Sequence, residues 1–360
     1  MPLTRSQARA LTGLLLLCAA LPLAADAPMP APPPHPAPVY DVADLGPLPH
    51  VADEVRLSLN DAGQVAGWAD VGGGVLHPLL WTGGQPRDLG LPPGSRSGVA
   101  RGLNRRGQAV GWASTGKNLG DSLATTRACL FADGKAKELG TLGGRDSQAF
   151  GINGAGRIVG VSQLSPQVRH AFLYVDGRMR DLGTLPGGAF SLAYAINEAG
   201  DVAGIADTPA HATHAVVWHQ GRIADLGALP GGRQSLAYAL NGRGGVAGAS
   251  EAGSDYHAFF VSGGRMADLG TLGADPSSVL GLNDRGQAVG ASSLDTITRH
   301  AFTWERGRMT DLNRLLPADA GWTMTEADAV NARGRIVGVG RRKGGTAHAL
   351  LLTPHSDTQN

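Results

Sequence analysis

Residues Asp181 to Gly204 read DLGTLPGGAFSLAYAINEAGDVAG, a stretch that returns in altered form six more times along the chain. Its most regular part is N-x-x-G, met at Asn60, Asn104, Asn153, Asn197, Asn241, Asn283 and Asn331, at spacings of 44, 49, 44, 44, 42 and 48. A second Gly stands four residues after the first in every copy, from Gly67 to Gly338. Asn first and Gly fourth suits a type I turn closed by a left-handed glycine, a common hairpin connection. Each copy therefore joins two strands, such as SLAYAI and DVAGIA.

Downstream of each hairpin comes a short apolar segment: HPLLW at His77, RACLF at Arg127, HAFLY at His170, HAVVW at His214, HAFFV at His257, HAFTW at His300 and HALLL at His348. In the first six units a dipeptide with Gly second follows, for example Asp176-Gly177 or Gln220-Gly221, as a type I′ loop requires. A segment ending in DLG or a variant comes next, so each unit holds four strands. A period near 44 with four strands matches a propeller blade and is too long for leucine-rich or tetratricopeptide units. The first DLG, at Asp44, precedes the first N-x-x-G, and the last unit stops after its third strand, Ala347 to Thr353. These fragments complete each other. The expected fold is all-β: a seven-bladed β-propeller of four-stranded antiparallel blades, closed three-plus-one by the N-terminal strand VYDVADLG.

The recurring DLGTL, IN-x-x-G and HAF elements, the last seen intact at His170, His257 and His300, resemble the HAF repeats of predicted extracellular bacterial proteins. The resemblance covers Val39 to about Pro354 and implies export and repeat architecture. It carries no established activity.

Composition sets the remaining bounds. Residues 1–27 read as a Sec-type signal: Arg5 and Arg9, an apolar run from Leu11 to Leu23, then Ala25-Asp26-Ala27 as a cleavage site. The run falls short of the ~20 residues that span a bilayer, so no membrane span is expected. Residues 28–38 form a Pro-rich linker, 39–354 the propeller and 355–360 a tail, in the periplasm or outside the cell. Cys18 lies in the signal, which leaves Cys129 without a partner and stability to packing. Gly, at 54 of 360, is about twice its usual share, which suits short strands and tight turns. With two Arg and one Asp gone from 31 basic and 30 acidic residues, the mature chain balances 29 against 29. That balance argues against nucleic acid as a partner.

One His per unit invites a metal or catalytic reading, yet the spacing favours structure. From each His position to the last residue of the DLG element is 13 residues in all six complete units. Through a two-residue turn this sets His170 opposite Gly183 and diagonal to Asp181, within side-chain reach. The expected rungs are His77–Asp88, His170–Asp181, His214–Asp225, His257–Asp268, His300–Asp311 and, across the ring closure, His348–Asp44. In the second unit both partners change together, to Arg127 and Glu138. A ring of separate pairs offers no converging ligand set, so no metal and no cofactor is expected. The seven Asn are turn formers rather than calcium ligands, since Arg, Gly, Glu or Ala follows most of them.

Function is expected on the face that carries the loops after DLG and after the second strand, where length and composition vary. Thr115 to Thr126 and Arg314 to Thr325 depart furthest, and Trp322 sits in the second. The loops after DLG carry Arg96, Arg145-Asp146 and Arg233-Gln234, each followed by Ser, as ligand-binding candidates. Arg would serve as a fork, with Ser or Gln orienting a sugar or acidic group. The bland reading has them bonding neighbouring loops. No G-x-S-x-G, HExxH or Cys and His cluster is present, and His35, His50, His211, His219 and His355 lack a local catalytic partner. A monomeric binding or scaffold module with a carbohydrate or protein ligand is the expectation, with a glycan-acting hydrolase or lyase at the channel mouth as the alternative. Converging carboxylates in that mouth would favour catalysis; Arg, Ser and aromatics would favour binding.

Overall fold

The computed structural model describes residues 40–49, 56–116 and 124–355. The signal segment, the Pro-rich linker, Cys18, Val39, His35, His50 and residues 356–360 lie outside them. Seven four-stranded antiparallel sheets follow one another as blades. In the fourth, the strands are Ser191–Ile196, Val202–Asp207, Thr213–His219 and Arg222–Asp225, innermost to outermost. The first six blades span 58–88, 97–138, 147–183, 191–225, 235–268 and 274–311. The seventh pairs Thr323–Val330, Ile336–Arg341 and Ala347–Pro354 with Tyr40–Pro47 as its outer strand. The protein is a seven-bladed propeller closed three-plus-one. One short 3-10 turn, Leu312–Leu315, leads into the Arg314 to Thr325 stretch; Asp311 caps it by accepting from the Asn313 amide.

Local chemistry explains each turn. Asn197 accepts at its carbonyl from Gly200, whose φ of 94° only glycine adopts without strain. Its side-chain oxygen accepts from the amides of Gly200 and Asp201, which closes the turn. In the DLG element, Oδ1 of Asp181 accepts from the Gly183 amide at 2.7 Å and bends the chain toward the next blade. Packing then divides the core into layers between neighbouring blades. Ala203, Ala215, Leu229, Ala237, Val246 and Phe259, for instance, form one layer between the fourth and fifth.

Two repeated residues have roles that their local turn does not reveal. Each Asn side chain donates from Nδ2 to the carbonyl of the next blade's Asn: Asn60 to Asn104, Asn104 to Asn153, Asn153 to Asn197, Asn197 to Asn241, Asn241 to Asn283 and Asn283 to Asn331. Asn331 returns the bond to Asn60, so the ring closes on itself at 3.0 to 3.3 Å per step. The turn former is also the clamp between blades. In the second to seventh units the second Gly answers a bulge in the inner strand, which in the fourth blade falls between Ala193 and Ala195. The bulge drives the Leu192 carbonyl so close to Gly204 that a Cβ would overlap its oxygen, and Gly111, Gly160, Gly248, Gly290 and Gly338 meet the same obstacle.

Backbone cannot move aside as a side chain can. Gly204→Ala is therefore expected to lower unfolding free energy by about 1–3 kcal/mol, the usual cost of overpacking, as read from the urea midpoint. An unchanged midpoint would show that the inner strand relaxes freely.

Candidate functional site

The His–Asp rungs stand at the loop-face edge of the blades. Nδ1 of His77, His170, His214, His257, His300 and His348 lies 2.6 to 2.9 Å from Asp88, Asp181, Asp225, Asp268, Asp311 and Asp44 respectively. The register differs from expectation by one residue: Ala171, not His170, pairs with Gly183, and a bulge lets Asp181 swing back to the imidazole. In the second blade the expected exchange fails. Arg127 overreaches the rung and donates to the carbonyls of Thr126 and of Arg145 in the next loop, and among the described residues no Arg127–Glu138 ion pair forms. His257 also bonds Asp275 through Nε2 at 2.8 Å. Burial alone would lower its pKa, but the bonds and charges of Asp268 and Asp275 outweigh that and hold it above 6.5. Among the described residues no three His, Cys, Asp or Glu converge as a metal site.

The loop candidates are tied into the scaffold to different degrees. Ser97, Ser147 and Ser235 are buried and clip each inner strand to the blade before it, accepting from the amides of Leu76, Ala128 and Ala215. They are therefore closed to a ligand, against expectation. Arg145 donates to the Ala124 carbonyl and Asp146 accepts from the Thr126 amide, so both brace the second blade's outgoing loop. Asp146 also borders a polar cleft of about 200 Å³ with Gln148, Gln163 and Arg169. Arg233 and Gln234 bond through their backbones to Glu251, and the Arg233 carbonyl faces His214 Nε2 at 3.2 Å. Arg96 is anchored through its amide to Ser114 and leaves its side chain exposed. Trp322 does not stand free: its ring lies 5.1 Å from that of His348, and the Arg342 guanidinium sits 4.5 Å above it. These candidates are spread around the rim and form no common site.

The convergence lies further in, where the inner strands face the channel. Three residues before the Asn stand Arg101, Phe150, Tyr194, Tyr238, Leu280 and Asp328 in the second to seventh blades. Phe150, Tyr194 and Tyr238 form an arc of rings with centroids 5.5 and 5.2 Å apart. The Arg101 guanidinium lies 5.4 Å from the Phe150 ring, and Arg56, from the first blade, reaches across to 4.3 Å above Tyr238. Nε of both arginines is enclosed without a hydrogen-bond partner, as is Oδ1 of Asp328. Asp328 Oδ2 accepts from the Leu57 amide across the closing seam. Glu326, two residues earlier on the same strand, pairs with Arg299 at 2.7 Å.

Electrostatics in this enclosure follow from desolvation. Burial, and then the adjacent Glu326 carboxylate, push Asp328 well above the ordinary carboxylate range, which favours its neutral form. Burial, and then the Arg56 cation, push Arg101 down to about 10, still cationic at neutral pH. A more apolar slot of about 430 Å³ opens beside the channel between the fifth and sixth blades, lined by Leu236, Tyr238, Tyr256, Pro276 and Arg299. The opposite mouth, framed by the Asn ring, encloses about 460 Å³. There Asp61, Glu198 and Asp284 spend their carboxylates on the amides of Ala332, Gly154 and Gly242 in the preceding blades.

Loop reasoning missed this channel set. Its signal is positional: a strand column that is aromatic or aliphatic in most units carries Arg101 in one and Asp328 in another. The inner-strand bulge hides it, because it breaks the simple alternation that would tell channel-facing residues from packed ones.

No family model matches the chain, and no curated protein matches it in sequence. Among solved structures it is similar to YCF48 bound to D1 peptide, at 12% identity and a TM-score of 0.51 over 90% of this chain and 99% of that one. TolB from Acinetobacter baumannii matches at 14% identity and 0.42, covering 57% of this chain. A puromycin-hydrolyzing peptidase from Mycobacterium tuberculosis matches at 18% and 0.48, covering 79%. The chain spans about half the length of these last two, 51% and 49%. Among the described residues no helix is long and apolar enough to cross a membrane. What the likeness to YCF48 shows is the fold, a β-propeller built from repeated four-stranded blades.

Proposed function

We infer that this protein is an exported, monomeric HAF-repeat propeller that serves as a binding module, with a carbohydrate chain taken at the loop-face mouth of the central channel. One observation carries the reading: two enclosed arginines without a hydrogen bond at Nε flank an arc of three aromatic rings. Aromatic faces accept the C–H face of a sugar ring, and guanidinium and carboxyl groups bond its polar substituents. Buried polar atoms left without partners in the scaffold are groups that a ligand can satisfy. A glycan array with residues 28–360, followed by calorimetry, is expected to find a saccharide ligand, and Tyr238→Ala is expected to weaken it at least tenfold, about 1.4 kcal/mol. An array without a saccharide hit, together with a protein captured by the same face, would replace this reading.

A second reading rests on the carboxyl pair. Asp328, held toward its neutral form by burial and by Glu326 beside it, is placed to serve as a general acid. Release of new reducing ends from a bound glycan, lost in Asp328→Asn, would make the module a glycan-acting hydrolase or lyase.

A further inference from the structure

Charge in the channel is uneven once each group is followed to its partner. Glu326 is engaged by Arg299 at 2.7 Å, and Asp328 sits beside it, enclosed, with Oδ2 held by the Leu57 amide. On the other side Arg56 stands near enough to Arg101 to disfavour its charge, an effect that Asp328 and Glu326 only partly offset. Their guanidiniums lie on ring faces, Tyr238 and Phe150, rather than on carboxylates. Two like cations enclosed together are destabilising unless an anion joins them.

The shape of the site narrows that anion. A guanidinium fork matches a planar carboxylate with two parallel hydrogen bonds. The arc of Phe150, Tyr194 and Tyr238 begins beside Arg101 and ends under Arg56, so a ring carrying the carboxylate meets an aromatic face. Asp328 Oδ1, enclosed and without a partner in the scaffold, is open to a hydrogen bond with a ring hydroxyl. A polyanion suits the site poorly, because Glu326 stands within the same mouth and the chain's formal net charge is only +1. We propose that Arg56 and Arg101 form a carboxylate subsite for an acidic sugar residue, whose ring lies against Phe150, Tyr194 and Tyr238. This assignment deepens the carbohydrate reading above and rests on it.

The test compares three probes on the unmodified mature protein by calorimetry: a galactose oligomer ending in one galacturonate, its methyl ester, and the neutral galactose tetramer. The acid is expected to bind about tenfold or more tightly than the ester, the scale of one charge-assisted pair, with the advantage shrinking as salt rises. Arg101→Gln and Arg56→Gln are each expected to erase the acid-over-ester ratio. That ratio is internal to each protein and unmoved by a partial loss of folded material. Equal affinity for acid and ester overturns the carboxylate subsite while leaving carbohydrate binding intact. Failure of all three probes, with no other glycan bound on the array, removes both. Competition by inorganic phosphate at lower concentration than by galacturonate also overturns it, since it would mark a phosphate site.

Discussion

A chain lacking residues 39–46 is expected to lose roughly 3–6 kcal/mol of unfolding free energy, from two large side chains at ~1.5–3 kcal/mol each. Those side chains are Tyr40, 1% exposed, and Leu45, 8% exposed; Tyr40 packs with Leu312, Met324, Ile336 and Leu352, and Leu45 in the layer against the first blade. The Leu45 carbonyl also accepts from Trp81 Nε1 at 2.9 Å, so the strand ties the last blade to the first. Without it, Ala347–Pro354 becomes an open edge, a template for pairing with other chains. Urea unfolding of the truncated protein and its dye binding by exposed apolar surface check the outcome. Unchanged melting would mean the ring holds without its closing strand.

The second large effect is expected at the Asn ring. Asn153, 3% exposed, accepts from the amides of Ala155 and Arg157 and donates to the Asn197 carbonyl of the next blade. Asn153→Ala leaves buried amides and a carbonyl unpaired and is expected to cost about 1–3 kcal/mol. Asn153→Asp keeps the acceptor and the shape but turns a carboxylate oxygen onto that carbonyl, an uncompensated buried charge on the order of 3–5 kcal/mol. The order of the two variants is the decisive reading from their urea midpoints. If the residue served only its own turn, Asp, a good turn former, would be the milder change.

Much of the fold was legible because its causes are local. A two-residue turn with Gly second, an Asn that closes a turn and an Asp that caps the chain two residues on are each written in contiguous residues. Repetition then amplified weak local signals into a blade count, and the complementary terminal fragments pointed to closure. The rung at His170 survived a register error of one residue, since a side chain's reach absorbs what a backbone bulge shifts. The Arg127–Glu138 exchange failed for the same reason in reverse: a longer side chain found a carbonyl in the next loop first.

The candidate site was less legible. Variable loops point to Arg96, Arg233 and Trp322, yet three of the five buried side-chain polar atoms without a partner among the described residues belong to the channel residues Arg56, Arg101 and Asp328. Residues there come from different blades, and no local pattern joins them.

The sequence by itself determined the repeat, the four strands of each unit and their turns, because hydrogen bonds between near neighbours dictate these, and it pointed to the pairing of the two ends because the incomplete first and last units complement each other. Only the tertiary structure decided which residues meet across the ring. Seven inner strands converge on one axis, so residues 42 to 49 apart become neighbours, as the closed circuit of Asn bonds shows. The same convergence turns one Arg and one Asp, unremarked in their own strands, into the polar wall of a single channel.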